Sequence, residues 1–376
     1  MATRYPAGSG AGQRPALRQT MDSPGEGMRT MKNLTHLFLL VLAAYSVAAA
    51  AQESGTAPVV ISGWEATYRL DPRFDAIVPA DLKVERIAQG LGYVEGPVWN
   101  RKDGYLLFSD MRRNAIYKWS PADGKVSVFL DHAGFAGSDA TGIGGESTAG
   151  GEVYYTIGPN GVTIDPQGRA VFCAVGDRQI VRVEADGRRT VLASQYEGKR
   201  LNGPNDLVIK SNGSIYFTDT FAGLRGREKD PNKGVPFMGI YLLKGGELKL
   251  LLDDRNPNGI TVDPSEKYLY VNDSPTHTIW RYEIKADDTI GTGEIVVALS
   301  APRGPGGTKF DRSGNMYASV AGGVWILAPD GKQLGGIGFP QYVSNIGFGD
   351  ADGKTLYATG RTEVYRVRLK IPGAGY

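Results

Sequence analysis

Short apolar runs separated by polar, glycine-bearing turns recur from about residue 95 to the end of the chain. One unit repeats: a small or polar residue, an apolar strand, a turn closing on or near Gly, then a second strand that often ends polar. Its copies are EGPVWNRKDGYLLFSD (95–110), NGVTIDPQGRAVFCAV (160–175), NDLVIKSNGSIYFTD (205–219), NGITVDPSEKYLYVND (258–273), GGTKFDRSGNMYASV (306–320) and NIGFGDADGKTLYATG (345–360). Third strands such as AIYKW, QIVRV and TIWRYEI follow, and often a fourth, such as KVSVFLD or RTVLAS. Period-2 alternation between turn residues predicts short antiparallel strands. Four strands per unit, repeated six times at intervals averaging about 50 residues, predict an all-β chain folded as a six-bladed β-propeller over 83–376.

Two features refine that ring. After the sixth start there is room for only three strands, so KVERIA (83–88) is expected to supply the fourth and close the last blade. The first interval is the longest, and its surplus is the Gly-rich stretch 132–151, which reads either as a lid over one face or as a tolerated insertion. Trp99, Trp119, Trp280 and Trp325 fall on strand patterns and are expected to pack between blades. The mixed-charge run Arg225–Asp230 reads as a solvated loop.

Composition changes the picture mainly at the N-terminus. Residues 1–30 are polar, Gly/Pro-rich and aperiodic, the pattern of a disordered or over-extended start. Residues 31–51 carry Met31-Lys32, an apolar run from Leu34 to Val47 and a small-residue stretch, the pattern of a cleaved secretory signal. An exported, periplasmic or secreted protein is expected, with 52–82 as an N-terminal segment before the ring. The apolar run is short for a bilayer span, so no stable membrane insertion is expected. The net charge of +2 gives no reason to expect nucleic acid. Cys173 is the sole cysteine, which excludes an internal disulfide. Beyond the leader only His132 and His277 remain, which excludes a three-His zinc site.

The candidate chemistry follows from the repeat phase. The residues opening the six units are Glu95, Asn160, Asn205, Asn258, Gly306 and Asn345. In a propeller these equivalent positions converge at one end of the central channel. A ring of oxygen donors with one carboxylate suits a single divalent ion, Ca²⁺ first, with Mg²⁺, Mn²⁺ or Zn²⁺ as alternatives. Asp110, Asp219 and Asp273 end second strands that return toward the same face. Asp273, in the same unit as Asn258, is the first candidate general base, against a competing role for all three as turn caps.

Glu95-Gly96-Pro97, Asn202-Gly-Pro-Asn205-Asp206 and Pro257-Asn258-Gly259, in this order and at blade spacing, resemble the senescence-marker-protein-30/gluconolactonase family over roughly residues 83–370. The resemblance implies a metal-dependent lactonase, a carboxylic ester hydrolase acting on a lactone or sugar-acid derivative, working as a monomer or dimer. It implies Glu95 and Asn258 as metal ligands, and Asn205 as a ligand to metal or substrate. Asn160, Asn202 and Asn345 join the substrate-binding candidates. The family's third ligand and proposed base, an Asp, falls on Gly306, and its substrate-binding Arg falls on Gly203. Arg200 and Lys199 are the nearest basic residues, and Arg200 is the substrate-binding candidate. Two other functions follow if the missing carboxylate matters. One is a non-catalytic periplasmic binding protein, which a Gly306→Asp change would convert to a lactonase. The other is a metal-free enzyme of the strictosidine-synthase-like type.

Overall fold

The computed structural model describes residues 57–62, 66–149, 151–300 and 304–375. The leader expected at 31–51, the stretch before it and the start of the 52–82 segment lie outside those residues. Among the described residues no helix is long and apolar enough to cross a membrane.

Six antiparallel sheets form the ring. Their innermost strands are Val94–Asn100, Pro159–Ile164, Pro204–Ile209, Pro257–Val262, Thr308–Phe310 and Val343–Gly349, in blades 1 to 6. Blade 6 closes as its strand count requires: Glu85–Ala88 pairs antiparallel with Glu363–Arg368. Arg366 meets Glu85 at 2.6 Å and Arg86 meets Glu363 at 2.9 Å, so two ion pairs fix that seam. The N-terminal segment does more than close the ring. Thr67–Arg69 adds a fifth strand to blade 5, and Val59–Val60 adds one to blade 6. After Thr67–Arg69 a 3-10 turn, Pro72–Ala76, drives Phe74 to full burial in the core shared by blades 5 and 6.

The core lies between blades, because a four-stranded sheet is apolar on both faces and must bury each against a neighbour. Blades 6 and 1 meet through Trp99 and Tyr357, stacked at 5.7 Å and 8°, with Trp119 tilted against the same Tyr357 ring. Truncating a buried aromatic at such a seam costs about 3–5 kcal/mol.

A second seam runs close to the channel mouth. In blades 1, 3, 4 and 5 the penultimate residue of the second strand reaches the backbone of the next blade. Ser109 Oγ donates to the Asn160 carbonyl (2.6 Å), Thr218 Oγ1 to Asn258 (2.8 Å), Asn272 Nδ2 to Gly306 (2.5 Å) and Ser319 Oγ to Ser344 (3.1 Å). Ser344 Oγ then donates to Val94 (2.7 Å). The carbonyls that open the inner strands are thereby held at fixed positions around the axis. Cys173 occupies the matching register in blade 2, fully buried, which accounts for a lone cysteine there without any reactive role.

Candidate active site at the channel mouth

Each inner strand of blades 1 to 4 carries a β-bulge at its start, with register shifts between Glu95 and Val98, Pro159 and Val162, Pro204 and Leu207, and Pro257 and Ile260. A bulge breaks strict in-out alternation, so consecutive residues can both turn toward the axis. Gly96 shows why the Glu-Gly-Pro motif needs its glycine. Its φ is +50°, and a β-carbon there would lie 2.7 Å from the Asn160 carbonyl of blade 2.

The structure brings Glu95, Asp206 and Asn345 together at the mouth, with Lys309 beside them. Glu95 keeps part of its surface open but is otherwise packed in protein. Its Oε2 accepts a long bond from the Gly96 N–H (3.3 Å). Burial, and then the neighbouring Asp206 charge, push its carboxyl up to about 8, with the Asn345 amide and Lys309 opposing. Asp206 is buried and accepts from Leu207 N (2.9 Å) and Ile260 N (3.3 Å). Burial pushes it up too, opposed first by Lys309. Below them a cavity of about 100 Å³ runs down the axis, lined by Asp206, Lys309 and Asn345 and, lower, by Trp99, Arg101 and Phe348. The C-terminal tail lies at its base, where Ala374 N donates to Phe310 O at 2.8 Å.

Among the described residues the side-chain amides of Asn205 and Asn258 are committed to no hydrogen bond, although both open inner strands at this mouth. Two uncommitted amide oxygens at the mouth that carries Glu95 and Asp206 add hard-oxygen donors to the Glu95 carboxyl, a set that suits a divalent cation. Glu95, Asn205 and Asn258 are the residues that would hold it. Among the described residues no cluster of three His, Cys, Asp or Glu side chains is placed to hold a metal ion, so a cation here would rest on Glu95 and amide oxygens.

Other expected site residues fall elsewhere. Asn202 is fully buried and spent: its Nδ2 donates to Val235 O (2.9 Å) and Phe237 O (3.1 Å), and its Oδ1 accepts from Gly234 N (3.2 Å). It clamps the 232–237 loop and is not available to substrate. Arg200 is exposed on a hairpin, donates to the Asp177 carbonyl (3.0 Å), and lines a separate surface cleft with Phe135 and Arg178. Asp273 accepts from Thr276 N (3.2 Å) and Asn256 N (3.4 Å). Asp110 and Asp219 make the same kind of clamp, on Gly92 and Tyr93 and on Asn202 and Gly203. All three therefore cap loops, and Asp273 is not poised as a base. Asn160 is buried at the mouth, where its carbonyl serves the inter-blade seam.

Gly306 leaves no hole. A β-carbon there would collide with the Ser344 carbonyl oxygen and stand 2.9 Å from Ser319 Oγ. Blade 5 thus has no room for the expected carboxylate, and brings a cation, Lys309, instead. Asp206 and Lys309 escaped the repeat-phase reading because it tracked only the first residue of each unit. The adjacent Asn205-Asp206 pair, read with a bulge in mind, was the available signal.

The sequence profile of the SMP-30/Gluconolactonase/LRE-like region matches residues 93–362. A gluconolactonase of Zymomonas mobilis is 35% identical over 81% of this chain and 86% of its own. A 6-deoxy-6-sulfogluconolactonase of Pseudomonas putida is 23% identical over 74% of this chain and 92% of its own. The solved gluconolactonase of Xanthomonas campestris superposes with a TM-score of 0.71 at 27% identity, covering 85% of this chain and 99% of that one.

Proposed function

Because the chain belongs to the SMP-30/gluconolactonase/LRE-like family, we propose that it is a metal-dependent hydrolase that opens a lactone ring by adding water across the ester. The observation that carries this reading is the mouth itself: uncommitted amides of Asn205 and Asn258 on the face that carries Glu95 and the buried Asp206, both carboxyls pushed up. The relatives support the substrate class, since the most similar enzymes named above act on gluconolactones.

Glu95, Asn205 and Asn258 would hold a divalent cation, which would supply polarisation of the ring carbonyl and stabilisation of the charge that grows on its oxygen. Asp206 is the carboxylate that faces the cavity, and it takes the proton of the attacking water. Lys309 opposes the burial that raises the Asp206 carboxyl and so favours its ionised form. The Asn345 amide donates toward both acids, fixing their orientation. As the ester C–O bond breaks, Asp206 returns the proton to the departing ring oxygen, and the product is an open-chain hydroxy acid.

The test is a panel of lactones, glucono-δ-lactone first, assayed after chelation and again with Ca²⁺, Mn²⁺ or Zn²⁺ added. Activity is expected to fall to background on chelation and to return with at least one ion. Ring opening that persists in chelator ends the metal requirement. No ring opening on any lactone with any ion ends the hydrolase reading.

A further inference from the structure

The connection between blades 1 and 2 contains the surplus loop, and it is not a loose insertion. It forms a hairpin, Glu146–Ala149 paired with Glu152–Tyr155. That hairpin is fastened at both sides on the face that carries Glu95. Toward blade 3, Gly145 N donates to Ala222 O (2.6 Å), Thr156 Oγ1 to the same carbonyl (2.5 Å), and Arg227 grips Glu146 O (3.1 Å) and Ser147 Oγ (2.8 Å). Arg225 donates to Ile143 O (2.7 Å) and lies 3.4 Å over the Tyr155 ring. The run 225–230, expected to be a solvated loop, is therefore the anchor of this strap. Toward blade 1, Arg112 pairs with Glu152 at 2.8 Å, and Tyr93 stacks on Tyr154 at 5.3 Å and 22°.

Tyr93 stands two residues before Glu95, so the stacked pair lies at the mouth. Tyr154 is only 9% exposed, its phenol is hydrogen-bonded by Ser147, and it feels the Glu95 charge. A strap held by three arginines to hold one tyrosine against the site is more than an insertion needs to be tolerated. Resting on the lactone reading, we propose that Tyr154 contacts the substrate. Its ring walls the entrance above Glu95, and its hydroxyl, oriented by Ser147, hydrogen-bonds the hydroxyl groups of a polyhydroxylated lactone. A phenol ring with an oriented hydroxyl suits a sugar ring, which presents C–H faces and O–H edges together.

Tyr154→Phe keeps the ring and removes the hydroxyl. It is compared with wild type on glucono-δ-lactone and on δ-valerolactone, which has the same ring without hydroxyls. The expected result is a KM for gluconolactone raised about fivefold to tenfold, the worth of one hydrogen bond. kcat and the thermal midpoint should be little changed, and valerolactone turnover should move less than twofold. Equal effects on both lactones, or none on either, overturn the proposal. Gluconate binding measured by calorimetry separates this from the catalytic reading. Weaker binding to Tyr154→Phe than to wild type supports the contact even if wild type opens neither lactone, whereas equal or absent binding overturns it.

Discussion

Two buried acidic sites at opposite ends of the blades are built on opposite principles. At the base, Asp288 is 2% exposed and is met by Lys210 Nζ at 2.5 Å, Lys244 Nζ at 2.7 Å, Ser214 Oγ at 2.8 Å and Asn212 Nδ2 at 2.9 Å. Those partners hold its carboxyl well below the usual range despite burial. At the mouth, Glu95 and Asp206 face each other with Lys309 as their nearby cation, and both carboxyls are pushed up. A buried charge is tolerated when paired and hydrogen-bonded, and costs stability otherwise. The base site is an electrostatic staple between blades 3 and 4. The mouth has one lysine against two raised carboxyls and leaves the Asn205 and Asn258 amides uncommitted, which is what a ligand-binding site requires.

That contrast predicts opposite phenotypes for the same chemical change. Glu95→Gln is expected to lower kcat/KM at least 100-fold, the scale of removing a ligand or a charge that acts in the transition state. Its urea midpoint should be unchanged or raised, because a like-charge contact is relieved. Asp288→Asn should leave activity per folded molecule unchanged and cost about 3–5 kcal/mol in urea unfolding, because Lys210 is left buried without its counter-ion. The pH dependence carries the same sign. Asp288 has a depressed pKa in the folded state, so its contribution is present above the unfolded value of about 4 and is lost as pH falls below it. Asp288→Asn should flatten that acid limb. An acid limb of equal depth in the variant would remove the staple from the argument.

Gly306→Asp probes whether the mouth lacks a carboxylate by accident or by construction. The collision with Ser344 O predicts overpacking, about 1–3 kcal/mol of lost stability, with no gain in lactone hydrolysis. A gain in activity at unchanged stability would mean that blade 5 has room after all. This position also marks how far the sequence could be read. The ring was legible because each blade repeats one pattern, and its closure by 83–88 followed from counting strands. The positions of Glu95, Asn205, Asn258 and Asn345 at one mouth followed from the repeat phase. Asp206 did not, because alternation places neighbours on opposite faces and only a bulge turns both inward. Asn202 joined the substrate-binding candidates through the motif it shares with Asn205, yet the strand begins at Pro204 and leaves Asn202 clamping a loop. The added strands at 59–60 and 67–69 were invisible because two or three residues carry no measurable period.

Asp273→Asn sharpens the comparison from its weakest side. Asp273 is as buried as Asp206, at 3% against 5% exposed, and it ends a strand that returns to the same face. Burial and placement alone would therefore make it a base. Its oxygens instead accept the amides of Thr276 and Asn256, so its work is done inside its own loop. An asparagine keeps one acceptor oxygen and loses the charge, so the expected cost is about 1 kcal/mol, the worth of a capping bond. kcat/KM should stay within about twofold, because such a cap touches neither water nor substrate. If Asp273→Asn instead lost activity on the scale of Glu95→Gln while keeping its urea midpoint, hydrogen-bond commitment would fail as the criterion that separates structural from functional acids in this ring.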